Sequence, residues 1–375
     1  MEKPPRPDDA RKGATEPFRD DPGAARVLIA DDSPSVRAYL AHIMECAGLT
    51  VAGFACDGEE AVRQAAALAP SVITMDIDMP GLDGLTATKR IMEIAPAPIV
   101  IVSAQYDKSQ MRRTFAALEA GALAIIEKPS GGSAKECTDA ARELGRMVAL
   151  MAKVHVSRRP GRAAKVHESE TAAARGEACA RQAISLAAIG SSTGGPQSLR
   201  TILADLDPQT GFPIVVVQHM TPGFLPGLVD WLASACPLPV SVASAGEQAL
   251  PGHVYFAPDG LHLEVDAALR LQLFEETKGR GLIPSVARLF ASAAKARGKE
   301  VLAVLLSGMG ADGAREFKLL SDLGACAVVQ SEESCAVFGM PGAALRLGAK
   351  ALALPPKDIA GLINALPRPG KGPRQ

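Results

Sequence analysis

Apolar residues in this chain fall into short, nearly continuous runs separated by stretches with helical spacing. The first set is VLIADD (27–32), VAGFACDG (51–58), SVITMDID (71–78), PIVIVSA (98–104) and ALAIIEKP (122–129). Runs of four to eight residues without alternation are what strands look like when both faces of a parallel sheet are covered. Between them lie Ala-rich segments with helical periodicity, such as SVRAYLAHIMECAG (35–48) and EEAVRQAAALA (59–69), and a further helix is predicted at 134–155. Strands alternating with helices predict a doubly wound α/β domain over 25–155.

The pattern then lapses. Residues 156–182 lack apolar periodicity and are rich in Ala, Arg and Gly, as a linker is. It resumes with ISLAAIG (184–190), PIVVVQH (213–219), VSVASAG (240–246), HVYFAPDG (253–260), VLAVLLSG (301–308) and CAVVQSEE (326–333). LHLEV (261–265) and LRLQLFE (269–275) alternate instead, and predict an antiparallel hairpin appended to the sheet. The second domain, over 183–366, is therefore another doubly wound parallel sheet, Rossmann-like with an added hairpin. Residues 1–24 and 367–375, charged and Pro-rich, read as a disordered arm and tail.

Composition narrows the partners. Forty Lys+Arg against 41 Asp+Glu leave a net charge of -1, with no global pull toward nucleic acid or anionic membrane. The basic cluster Lys153, Arg158, Arg159, Arg162 and Lys165 reads as part of a solvated tether. Aromatics are 4%, too few for a base-stacking surface. The seven Cys are scattered without a C-x-x-C pair, so neither a disulfide framework nor a thiolate zinc site is expected. The start has no apolar signal core, and the uncharged stretch 208–229 is broken by Pro213, Pro222 and Pro226. A reducing, cytoplasmic setting without membrane insertion is expected.

Ligands of parallel α/β sheets gather at the carboxyl ends of the strands. In the first domain those ends carry Asp31 and Asp32, Asp76, Ser103, and Lys128 before Pro129. An Asp-Asp pair alone is often a helix cap. Three converging carboxylates, however, call for a hard cation such as Mg²⁺, and a carboxylate beside a cation and a lysine is equipped to accept a phosphoryl group. With TMDIDMPGLDGL (74–85), this half resembles a response-regulator receiver of flavodoxin-like fold. The resemblance implies phosphorylation of Asp76 by a histidine kinase. It also implies Mg²⁺ held by Asp31, Asp32, Asp76 and the backbone carbonyl of Asp78, phosphate sensing by Ser103 and Lys128, and a cis Lys128–Pro129 peptide. Ile125 stands where an aromatic switch residue is common.

In the second domain, Gly190-Ser191-Ser192-Thr193-Gly194-Gly195 follows a strand and precedes a helix opened by Pro196. Gly-x-Ser-x-Gly there fits a nucleophile elbow; backbone N–H groups at a helix start would equally cradle phosphate. The next strand ends in Gln218-His219 rather than the acidic residue of a dinucleotide site, and no Gly-Lys-Ser/Thr is present. His219 alone among the histidines ends a strand neighbouring Ser192. The acid is Asp312 in the loop after VLAVLLSG, with Asp259 as its rival. Ser192 would attack a carbonyl, His219 would take its proton, and the acid would fix the ring.

The order Ser…His…Asp, with VVQHMTPGF (216–224), LLSGMGADGA (305–314) and VVQSEESCAVFGMPGAA (328–344), resembles the chemotaxis protein-glutamate methylesterase family. That resemblance implies Ser192, His219 and Asp312 as the triad and the Met309 N–H in the oxyanion hole. It implies hydrolysis of glutamate γ-methyl esters on methyl-accepting chemotaxis receptors, deamidation of receptor glutamines, and a cofactor-free, monomeric esterase released when the receiver is phosphorylated. Ser191 replaces a common Ala, Ala311 a common Asn, and Leu282, Ile283 and Ala287 replace His, Arg and Asp. A degenerate esterase lobe acting as a phosphorylation-dependent scaffold is the alternative; a nucleotide-binding output domain is a further one.

Overall fold

The computed structural model describes residues 25–103, 108–129, 134–154, 176–276 and 281–367. The arm, most of the linker with Arg158, Arg159, Arg162 and Lys165 of the basic cluster, and nearly all of the tail lie outside these.

The first sheet has strands β1 (Arg26–Ala30), β2 (Thr50–Ala55), β3 (Val72–Met75), β4 (Ile99–Ser103) and β5 (Ala124–Glu127), in the order β2-β1-β3-β4-β5. All pairs are parallel. Side chains alternate between faces, so Val27 and Ile29 enter one core while Leu28 and Ala30 enter another. Both faces are packed, and that is why the runs show no polar alternation. The helix Pro34–Cys46 is capped by Ser33, and the helices Gly58–Leu68 and Gly84–Ile94 by Asp57 and Asp83.

The second lobe contains β6 (Leu186–Ser191), β7 (Ile214–Gln218), β8 (Val240–Val242), β9 (Val254–Phe256), β12 (Val301–Leu305), β13 (Cys326–Gln330) and β14 (Leu352–Leu354). These form one parallel sheet in the order β14-β13-β12-β6-β7-β9-β8. The hairpin strands β10 (His262–Val265) and β11 (Leu271–Phe274) pair antiparallel as a sheet of their own, packed on the helix Val286–Arg297, rather than extending the main sheet. Strand β14, three residues that run straight into Pro355 and Pro356, lies outside the runs read from the sequence. Strand order, not chain direction, reverses between the parallel neighbours β6 and β12, which opens a crevice at their carboxyl ends.

Two features differ from expectation. Cys179 and Cys326, the first residue of β13, form a disulfide. Cysteines 147 positions apart are joined by tertiary folding, which counting and spacing do not register. Among the described residues the one cis peptide bond is Ile283–Pro284, so Lys128–Pro129 takes the trans form that dominates even before proline. Among these residues, no helix is long and apolar enough to cross a membrane.

The lobes meet along one seam. Phe115, on the helix Lys108–Glu119, stacks on Trp231 with ring centroids 5.6 Å apart. Glu119 accepts from Trp231 Nε1 at 2.9 Å and pairs with Arg200 at 2.6 Å, and the Arg200 guanidinium lies 4.6 Å over the Trp231 ring. Gln197 donates to the Ala122 carbonyl.

The helix Val286–Arg297 is held by Phe290, fully buried against Phe317 with centroids 5.9 Å apart. Phe290→Ala is expected to cost about 3–5 kcal/mol, read by chemical denaturation of the second lobe's transition; an unshifted midpoint would contradict this packing.

Candidate active site

Strand β6 ends in Ser191, and Ser192 begins the turn into the helix Gly195–Ala204. Pleating separates the two neighbouring hydroxyls. Ser191 is fully buried and donates to Gln218 Oε1 at 2.7 Å, whereas Ser192 is half-buried at the crevice. Gly194 turns the chain at φ +77°, where a Cβ would lie 2.6 Å from Ala336 Cβ. Gly308 brings the loop after β12 against the serine: a Cβ there would lie 2.8 Å from Ser192 Cβ. Met309 follows directly, and neither its N–H nor that of Thr193 is taken by a backbone hydrogen bond among the described residues.

His219 follows β7, and β7 pairs with β6 so that Ser191 lies opposite Gln218. The ring is nearly buried. Its Nε2 lies 2.9 Å from Asp312 Oδ2, and its Nδ1 has no hydrogen-bond partner. Asp312 is bound on its other sides by the start of the helix Val286–Arg297. Val286 N–H donates to Oδ2 at 2.7 Å, Ala287 N–H to Oδ1 at 3.2 Å, and the Ser285 hydroxyl to Oδ1 at 3.0 Å. Burial alone would push the Asp312 carboxyl up; the His219 ring, the Val286 N–H and the Ser285 hydroxyl outweigh it and hold the carboxyl below the usual range.

An ionised carboxylate only accepts, so Nε2 carries the imidazole proton and Nδ1 presents a lone pair. The rival acid is otherwise engaged, since Asp259 accepts from the Gly223 N–H at 2.7 Å. The site thus brings a serine, a histidine with a free basic nitrogen and a fixed acid to one rim. The hydrogen bond between the Ser192 hydroxyl and His219 is not formed in this state. Sequence reading missed Ser285, Val286 and Ala287 as the acid's anchor. Their only signal was an N-cap serine at a helix start.

The first lobe carries a second cluster. Carboxylate oxygens of Asp31, Asp32 and Asp76 all lie within 4.8 Å of one another. The Lys128 ammonium is 2.7 Å from Asp31 and 2.6 Å from Asp76. Burial pushes the Asp76 carboxyl up to about 6, with Asp31 adding to the push and Lys128 opposing it. Burial would lower the Lys128 ammonium, but the two carboxylates outweigh it and raise it. Three acids against one ammonium leave charge for a divalent cation to balance, and an all-oxygen donor set suits Mg²⁺. Ser103 is buried at the end of β4, and its carbonyl accepts from the Lys128 N–H at 2.9 Å. The Asp78 carboxylate pairs with Arg113 at 2.8 Å.

Two family models match the chain. One, described as response regulator receiver domain, covers residues 27–138; the other, described as CheB methylesterase, covers residues 187–363. Curated relatives match across both lobes. Protein-glutamate methylesterase/protein-glutamine glutaminase 1 of Syntrophus aciditrophicus (strain SB) is 45% identical over 345 residues, covering 91% of this chain and 98% of the relative. The corresponding protein 3 of Hahella chejuensis (strain KCTC 2396) is 44% identical over 345 residues, with the same coverage. The crystal structure of the Thermotoga maritima CheB methylesterase catalytic domain is 37% identical and covers 49% of this chain and 99% of its own, with a TM-score of 0.47.

Asp312→Asn removes the charge that dictates the ring's tautomer. Labelling of Ser192 by a serine-directed acylating probe is expected to slow by about 10⁴-fold, followed by intact-protein mass spectrometry. Undiminished labelling would show that Asp312 does not orient the base.

Proposed function

This chain belongs to the protein-glutamate methylesterase/protein-glutamine glutaminase family, and from that membership and the site's geometry we propose that Ser192, His219 and Asp312 hydrolyse glutamate γ-methyl esters on methyl-accepting chemotaxis receptors. The observation that carries this reading is the Asp312–His219 contact, which takes Nε2 and leaves Nδ1 without a partner, on a residue whose backbone N–H is bound to the carbonyl of Ser191, next to Ser192.

Ser192 Oγ attacks the ester carbonyl while its proton passes to His219 Nδ1. The resulting oxyanion is met by the Met309 N–H; loss of such a donor typically costs on the order of 10²–10³ in rate. The C–O bond to the methoxy group then breaks, and His219 returns the proton so that methanol leaves. Water repeats the sequence on the acyl-serine, yielding glutamate and free Ser192. With a glutamine side chain the same steps release ammonia, which is the deamidation. The intact serine, histidine and acid favour an enzyme over a scaffold.

The receiver, over residues 25–155, supplies control over the lobe at 183–366. Asp76 takes the phosphoryl group from a histidine kinase. Mg²⁺ would be held by Asp31, Asp32, Asp76 and the Asp78 carbonyl, where it would neutralise charge on the phosphoryl oxygens. Ser103 and Lys128 then meet a group carrying about 1.5–2 negative charges. Lys128 is already bound to Asp31 and Asp76, so the new charge redraws its contacts. In the unphosphorylated state the receiver lies over the catalytic face, with Met147 Sδ 3.7 Å from the hydroxyl of Thr193, next to Ser192. Phosphorylation shifts this seam and exposes the crevice. The protein acts as a cytoplasmic monomer in chemotaxis adaptation.

Methanol release from methylated receptor fragments should vanish in Ser192→Ala while the fold persists by circular dichroism; retained release would remove Ser192 from the reaction. Asp76→Asn should keep basal release but lose its stimulation by acetyl phosphate, and continued stimulation would break the link between receiver and crevice. Trp231, the chain's only tryptophan, lies in the seam. Its emission should change on adding acetyl phosphate with Mg²⁺ to wild type and stay constant in Asp76→Asn.

A further inference from the structure

Beneath the serine and the histidine lies a buried amide that the reaction does not consume. Gln218, the last residue of β7, is 4% exposed and stands opposite Ser191, the last residue of β6. Its Nε2 donates to the Ser192 carbonyl at 2.9 Å and to the His219 carbonyl at 2.6 Å. Carbonyls only accept, so both amide hydrogens face them and Oε1 must face the other way. There the Ser191 hydroxyl donates to it at 2.7 Å. The fit is tight on the remaining side: a Cβ on Gly195 would lie 2.3 Å from Oε1.

The main chain completes the arrangement. Ser192 N–H donates to the Ser307 carbonyl at 3.0 Å, and His219 N–H to the Ser191 carbonyl at 2.9 Å. Each of the two reacting residues is therefore held at both its N–H and its C=O, and one amide holds both carbonyls. With both flanking peptide planes fixed, the Cα–Cβ directions of Ser192 and His219 are fixed relative to each other. Such alignment matters because a misplacement of about 1 Å can cost about 10²-fold in rate.

We infer that Gln218, oriented by Ser191, is a positioning residue that holds nucleophile and base in register. The inference rests on the reading of Ser192 and His219 given above. It also gives the Ser191 hydroxyl a role: it holds the amide oxygen on the side away from the two carbonyls.

The test uses the full chain activated with acetyl phosphate and compares wild type with Ser191→Ala, Gln218→Met and Gln218→Glu. Measured are kcat and KM for methanol release, the rate of Ser192 labelling by a fluorophosphonate, and the thermal midpoint. Gln218→Met, which keeps volume without donors, should lower kcat and the labelling rate by about 10²-fold with KM unchanged. Gln218→Glu, which keeps shape and acceptors but lacks the amide hydrogens, should fall as far. Ser191→Ala should lower kcat by roughly 3–10-fold, the equivalent of one lost neutral hydrogen bond, since Oε1 then has no donor and the amide is held on one side only. A merely structural role would lower the midpoint and leave kcat and labelling at wild-type values; that result overturns the proposal. Should the Gln218 variants fail to fold, Ser191→Ala decides alone, and wild-type kcat in it overturns the proposal. If wild type itself is neither labelled nor active, the nucleophile assignment has failed, which is a different outcome from normal activity in the variants.

Discussion

A single half-buried carboxylate organises the catalytic lobe. Asp312 receives two backbone N–H groups and a hydroxyl from the start of the helix Val286–Arg297, and from the opposite side it meets the His219 ring. A charge largely removed from water is stabilised by such compensation, and the positive end of the helix supplies part of it. Because the carboxylate stays ionised, the ring has one choice of tautomer, and the nitrogen left over is the one that can take a proton. The helix is thus part of the chemistry, and the aromatic pair Phe290–Phe317 that seats it acts on the site at one remove.

Both lobes obey one topological rule. Each parallel sheet switches its winding near its centre, and each gathers its reactive side chains at the carboxyl ends of strands at or next to that switch. The receiver places acids and a lysine there; the catalytic lobe places a serine, a histidine and an aspartate. The seam between them is built for reversibility. An aromatic pair such as Phe115–Trp231 contributes about 0.5–1.5 kcal/mol beyond its buried area. Arg200 and Glu119 are 25% and 47% exposed, in the range where an ion pair is worth about 0–1 kcal/mol. Contacts of that size lie within the reach of one added phosphoryl group.

Much of this could be read from the chain because parallel strands, buried on both faces, advertise themselves and point to their own ends. Asp31, Asp76, Ser192 and His219 were all located that way. Asp259 stayed a rival to Asp312 until the geometry gave it the Gly223 N–H as partner. What remained hidden depends on contacts between distant segments. Nothing in SVARLF announces that its backbone will grip an aspartate about 25 positions later. Gln218 registered only as the absence of an acidic residue, though its amide bridges the carbonyls of Ser192 and His219. The short β14 and the Cys179–Cys326 pair left no periodic or spacing signal. Ser191 and Ser192 were indistinguishable until the pleat sent one hydroxyl inward and the other to the crevice.

On the proposed mechanism, catalysis depends above all on Asp312 forcing the His219 ring to present Nδ1 as its basic nitrogen. Nitrogen-15 NMR of imidazole-labelled protein reads this directly, through the shifts and proton couplings of the two ring nitrogens at neutral pH. The expected result is a proton on Nε2, strongly hydrogen-bonded, with Nδ1 unprotonated, and loss of that preference in Asp312→Asn. A resonance set with the proton on Nδ1 in the wild-type protein would contradict it.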